Sequence, residues 1–101
     1  MQIPNDCNTM AELRESIDLL DAEIMSLLSK RAEYIDRAIT LKSLESLPAR
    51  IDDRVEYVAM RARENAVKLG FDPDLAESIW RQLIEWSIER EEAVLGTETS
   101  S

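Results

Sequence analysis

From Met10 to about Leu41 the apolar residues Met10, Leu13, Ile17, Leu20, Ile24 and Leu27 recur in alternating steps of three and four. That spacing marks one face of a long α-helix. The next member of the series is Arg31, after which Ile35, Ala38 and Ile39 restore the apolar face. A guanidinium on such a seam must be paired or must bind something, because an unpaired buried charge is costly. Lys42 follows Arg31 by eleven residues. At about 100° per residue it returns to nearly the same face, roughly 16 Å along the axis. Two long cationic side chains reaching across that gap would bracket a small dianion. Arg14 lies seventeen residues before Arg31, roughly 25 Å away and about a quarter-turn off. One straight helix does not bring Arg14 to the same ligand, whereas a second, antiparallel copy beside the first would.

The remaining chain reads as two further helices. Residues 1–9 are a loose lead-in, residues 10–95 a single helical domain, and residues 96–101 a polar tail expected to be disordered. Thr9 and Glu12 form a capping box that starts the first helix sharply. The acids Glu15, Asp18, Asp21 and Glu23 fall mostly off the apolar seam and read as a solvated face. Residues 43–50 break the pattern, with Pro48 disfavouring helix just before it. A second helix over 52–69 has Val55, Val58, Ala59, Ala62, Ala66 and Leu69 as its apolar positions, and Gly70 closes it. Its small alanines predict a closely packed partner. Asp72 and Pro73 open a third helix as cap and first residue. Its inner stripe is Ala76, Ile79, Trp80, Leu83, Ile84, Ser87 and Ile88, and the next member is Glu91.

Length and charge narrow the function classes. A chain of 101 residues makes one domain with a modest core. Three long helices expose stripes that a lone copy covers only partly, so self-association is expected. The net charge of −9 argues against nucleic acid, since there is no basic stripe for phosphates. No bilayer-length apolar run and no signal-peptide pattern are present, so a soluble cytoplasmic protein is the default. The single Cys7 forms no internal disulfide. The absence of histidine removes the commonest general base and the commonest zinc ligand, so an enzyme built on this chain should need neither.

Each off-pattern residue also has an ordinary explanation. Arg31 fits a structural ion pair with a neighbouring helix, Lys42 a favourable charge at a helix C-terminus, and Arg14 a surface pair with Asp18. Arg54 fits plain exposure, Ser87 a hydrogen bond to its own helix carbonyl, and Glu91 an exposed partner of Arg90 or a frayed residue. Trp80 and Trp86 read as packing residues. Taken together, four cations and one acid lie on inner or near-inner faces of a regular helical bundle.

In this arrangement the run Leu13–Asp18, then Leu28–Arg31, Lys42, Asp53-Arg54 and Leu83–Ser87 resembles the all-helical (type II) chorismate mutase family over roughly residues 4–92. Pro4, Asp6-Cys7, Trp86 and Ile88-Glu89 resemble its isochorismate-pyruvate lyase branch. The resemblance implies an all-α fold: three helices per chain in an intertwined homodimer, with one arginine of each site donated by the other subunit. Arg14 matches the donated residue. Arg31 and Arg14 would hold the substrate carboxylates bidentately. Lys42 would contact a carboxylate and the ether oxygen, Arg54 would add positive field, and Ser87 would touch a carboxylate. Glu91 falls where the family usually has Gln, the second donor to the ether oxygen.

The implied activity is the rearrangement of chorismate to prephenate in aromatic amino acid biosynthesis. It has one step, no covalent intermediate and no enzyme proton transfer, so it needs no metal or cofactor. The protein holds a compact conformer and stabilises charge growing on the ether oxygen. Lys42, Glu91 and Arg31 are the candidate catalytic residues. Glu91 donates only when protonated, so better turnover at acidic pH is expected. The alternative is an isochorismate-pyruvate lyase giving salicylate and pyruvate. Val55 leans that way, because typical mutases carry a Glu after the Arg54 equivalent to receive the ring hydroxyl. A non-catalytic, ligand-binding helical dimer is the third reading.

Overall fold

A computed structural model describes residues 2–96 and contains three α-helices with no strand among them: α1, Met10–Leu44; α2, Asp52–Leu69; and α3, Pro73–Leu95. No helix among the described residues is long and apolar enough to cross a membrane. The chain divides into two compact units, residues 1–34 and 35–101.

In the first unit, the chain ahead of α1 is more ordered than its polarity suggests. Pro4–Asp6 form a single 3-10 turn, with Cys7 N–H donating to Pro4 O at 3.2 Å. Proline at the first position of that turn has its φ preset and sacrifices no needed donor. Thr9 Oγ1 accepts from Glu12 N–H at 3.1 Å, as the capping box requires. Glu12 reaches one residue further back than expected, accepting from Asn8 N–H at 2.8 Å. Glu15, Asp18, Asp21 and Glu23 are exposed.

No residue of α1 is buried in a single chain. Ile17, Leu20, Ile24 and Leu27 of its seam remain 47 %, 45 %, 48 % and 63 % exposed. Apolar side chains left exposed at this spacing mark an interaction face.

In the second unit, α2 and α3 pack through small residues. Ala59, Ala62 and Ala66 of α2 and Ala76 of α3 are all buried. Alanine lets two helix axes approach to the near end of the usual interaxial range. Ala49, Ala59, Ile84 and Ile88 form a core cluster, with Val55, Val58 and Leu95 packed against it. Leu69 departs from the expected apolar face and is 84 % exposed at the end of α2. Beyond it Gly70, at φ +76°, lets Phe71 N–H turn back to Ala66 O at 2.8 Å. Asp72 then caps α3, its side chain accepting from Asp74 N–H at 2.9 Å and Leu75 N–H at 3.3 Å.

The first helix ends at Leu44, later than Leu41, and the break expected over 43–50 begins at Glu45. Pro48 restricts only the residue before it, so the helix runs on until Ser46 takes the left-handed conformation at φ 58°. Ser46 N–H then donates to Ser43 O at 3.3 Å and Leu47 N–H to Lys42 O at 2.8 Å, the Schellman pattern that satisfies a helix C-terminus. The third helix ends at Leu95, with Gly96 N–H donating to Glu92 O at 2.8 Å. The expected tail beyond Gly96 lies outside the described residues.

Candidate active site

The inner stripe of α3 ends in polar groups. Ile84 and Ile88 enter the core, while Ser87 and Glu91, one turn apart on the same stripe, are 4 % and 3 % exposed. Ser87 Oγ donates to Leu83 O at 2.8 Å, the back-bond that a mid-helix serine commonly makes. Glu91 Oε1 lies 2.7 Å from Lys42 Nζ, yet no hydrogen bond is aligned on that oxygen. The contact is therefore an ion pair. The ammonium also donates to Ala49 O, at 2.7 Å. Lys42 sits in the last turn of α1, where a cation also complements the helix dipole.

The pair is a polar centre tied to the core cluster through Ala49. A buried carboxylate needs its cation, because removing one partner leaves an uncompensated charge. The loop carbonyl and the acid both draw Lys42 inward, leaving its side chain 20 % exposed. An anion arriving here would compete with Glu91 for the ammonium. Glu91 would then hold an unaligned oxygen ready to donate if protonated or to repel if not.

The structure brings Lys42 and Glu91 together and puts Ser87 beside Glu91 on the inner face of α3. Arg14 is exposed on α1, and Arg31, also on α1, is half-buried and engaged in interactions of its own. Arg54 is exposed in the first turn of α2, its guanidinium 5.2 Å above the Tyr57 ring.

Apart from Arg81–Glu77, four residues apart on one helix, the following ion pairs had no sequence signal, because their partners lie far apart in the chain. Arg90 pairs bidentately with Asp36 at 2.6 and 3.0 Å, and stacks over Trp86 at 5.4 Å. Glu91 is thus not its partner, and Trp86 stands 45 % exposed in a single chain. Arg81 grips both oxygens of Glu56 at 3.0 Å and Glu77 at 2.8 Å. Arg63 completes the ladder on Glu77 and Asp74. Arg50 forks onto Glu85 at 3.0 and 2.6 Å. In each case the guanidinium hydrogen bonds hold a carboxyl below its ordinary range: Asp36, Glu56, Glu77 and Glu85. An open groove lined by Arg63, Glu77, Arg81, Glu85 and Trp86 runs along α3. Its cations are already saturated by acids, so it offers an anion little. Lys42, in contrast, is held by one carboxylate and one neutral carbonyl.

Known proteins point the same way. Residues 13–92 match the family described as chorismate mutase type II. An isochorismate pyruvate lyase from Pseudomonas aeruginosa is 33 % identical over 91 residues, covering 87 % of this chain and 86 % of that protein. Two T-proteins match more locally. The one from Enterobacter agglomerans is 32 % identical over 75 residues, 74 % of this chain and 20 % of its own length. That from Haemophilus influenzae is 30 % identical over 82 residues, 81 % of this chain and 22 % of its own. The chain thus spans about a fifth of either T-protein and most of the lyase. The matched region starts in α1 and ends just past Glu91, so it takes in the Lys42–Glu91 centre as well as all three helices. An all-helical chain of this length, matched over that span, belongs to the chorismate mutase type II family of enzymes.

Proposed function

We propose that the chain is a chorismate mutase, converting chorismate to prephenate by conformational and electrostatic catalysis. The observation that carries this reading is the buried Lys42–Glu91 centre, 2.7 Å across, on the scaffold of the family. A pericyclic rearrangement asks for donors aimed at the ether oxygen and cations that fold the dianion into its reactive shape. Lys42 is the donor and the nearest cation. Glu91 is the second donor when protonated. Arg31 and Arg14 grip the two carboxylates in bidentate fashion. Arg54 adds positive field, and Ser87 contacts a carboxylate. The chain acts as a homodimer in which Arg14 comes from the other subunit, and the exposed α1 seam supports that assembly.

Isochorismate-pyruvate lyase activity is the second reading. It is favoured by the match to the Pseudomonas aeruginosa lyase over most of both chains. Val55 favours it too: half-buried against the core cluster, it offers no acceptor to a ring hydroxyl. Purified protein supplied separately with chorismate and isochorismate, followed from about pH 5 to 8, decides between them. The mutase reading predicts fast prephenate formation, rising toward acid, with negligible salicylate. Dominant salicylate and pyruvate formation would hand the assignment to the lyase. In the Arg31→Ala variant turnover should fall by at least about a hundredfold with the fold retained. Survival of turnover in that variant would remove the anion clamp from the account.

A further inference from the structure

The link from α1 to α2 is held in an unusual way. After Leu47 N–H closes the helix end, residues 48–50 make no backbone–backbone hydrogen bond among the described residues. Pro48 has no N–H to give. Three side-chain contacts hold the stretch instead. The Ala49 methyl is buried in the core cluster with Ala59, Ile84 and Ile88. Ala49 O accepts from Lys42 Nζ at 2.7 Å. Arg50, the next residue, closes a two-bond fork on Glu85 of α3 at 3.0 and 2.6 Å.

These contacts form one chain of cause. The fork ties the backbone at Arg50 to α3, and α3 also carries Glu91. The Ala49 carbonyl, one peptide away, is therefore set in register with the carboxylate on the same helix. Lys42 points its ammonium at both. We propose that Arg50 and Glu85 are positioning residues, fixing the Ala49 carbonyl so that the Lys42 ammonium is presented at the reaction centre. Neither residue touches Lys42, and the mechanism above uses neither. The proposal rests on the functional reading only for Lys42's role toward substrate.

Two physical points bear on it. Arg50 and Glu85 side chains are 38 % and 50 % exposed, so the pair adds little to global stability. Its effect is local, choosing one conformation for a stretch with few other restraints. The Arg50 guanidinium also holds the Glu85 carboxyl below the usual carboxylate range. The fork stays intact across pH 5 to 8, so acid sensitivity of turnover in that window comes from another group.

The test compares Arg50→Gln, Glu85→Gln and the swapped pair Arg50→Glu/Glu85→Arg with the unaltered protein. The first readout needs no substrate: labelling of Lys42 by an amine reagent, scored by mass spectrometry against Lys30 and Lys68, with amide exchange over residues 45–51. The second is the split of kcat and KM for chorismate. Each single variant should label Lys42 severalfold faster and speed exchange in the loop. It should also lower kcat about tenfold, with a smaller change in KM. Thermal stability should hardly move. The swapped pair should recover most of both effects, which loss of a generic surface charge would not do. Unchanged labelling and exchange in the singles would overturn the proposal, as would faster labelling with kcat intact. Lys42→Ala serves as the separate control. If it turns over chorismate normally, the functional reading fails, while the labelling result still reports whether the fork holds the lysine.

Discussion

Removing the Lys42 ammonium strands a carboxylate whose side chain is only 5 % exposed. Lys42→Ala should therefore destabilise the fold by about 2–3 kcal/mol in urea denaturation, discounting the full buried-pair figure for the partial exposure of the lysine. Lys42→Ala/Glu91→Gln should lose less than the single change, because the neutral amide is cheaper to bury unpaired. Equal losses would mean that Glu91 is not charged against Lys42. Glu91→Gln alone should flatten the pH profile of turnover, since an amide donates at every pH. Both members of the pair were legible in the sequence as charges falling on apolar stripes. Their common acceptor, the Ala49 carbonyl, was not, because no residue type announces a backbone oxygen. Nor were Arg50–Glu85 and Arg90–Asp36, whose partners stand 35 and 54 residues apart with no period to link them.

Helix ends were the most legible feature at the scale of elements, and the exception is informative. The Thr9 cap, the Asp72–Pro73 start and the Gly70 stop are local patterns, and the structure forms all three. Asp72→Ala should cost about 1 kcal/mol by denaturation. The end of α1 lay three residues beyond its expected position because Ser46 does the work usually given to glycine. An L-residue there carries a strain of roughly 1 kcal/mol, so Ser46→Gly should stabilise by about that amount in a urea titration. A loss of stability would show that the Ser46 side chain has a role of its own. On α2 and α3 the Arg81 ladder links stability to pH. Glu56 and Glu77 have folded pKa values held below their ordinary 4.5 by Arg81 hydrogen bonds. The stability they contribute is present above that ordinary value and lost as pH falls through the depressed one. Arg81→Gln should therefore flatten the decline of Tm with acid below about pH 4.5. An unaltered slope would assign the decline to other carboxylates.

The bare seam of α1 is a property of the whole molecule. Burying Ile17, Leu20, Ile24 and Leu27 against a second copy would remove the apolar surface that a single chain leaves in water. Leu20→Glu/Ile24→Glu should therefore lower the sedimenting mass by half and abolish turnover together. The alternation of threes and fours made this face readable from sequence, but the partner that covers it was not, since periodicity names a face and not its occupant. The same assembly carries the central claim, that each site is built by two copies around one Lys42. Mixing two inactive variants, Arg14→Ala and Arg31→Ala, after exchange of subunits tests it directly. In a mixed dimer one site receives both substitutions and the other receives neither. Turnover should recover to about a quarter of the unaltered level, the statistical share of intact sites in a two-fold dimer. No recovery, with mixed dimers demonstrated by mass spectrometry, would contradict the claim that Arg14 acts across the interface.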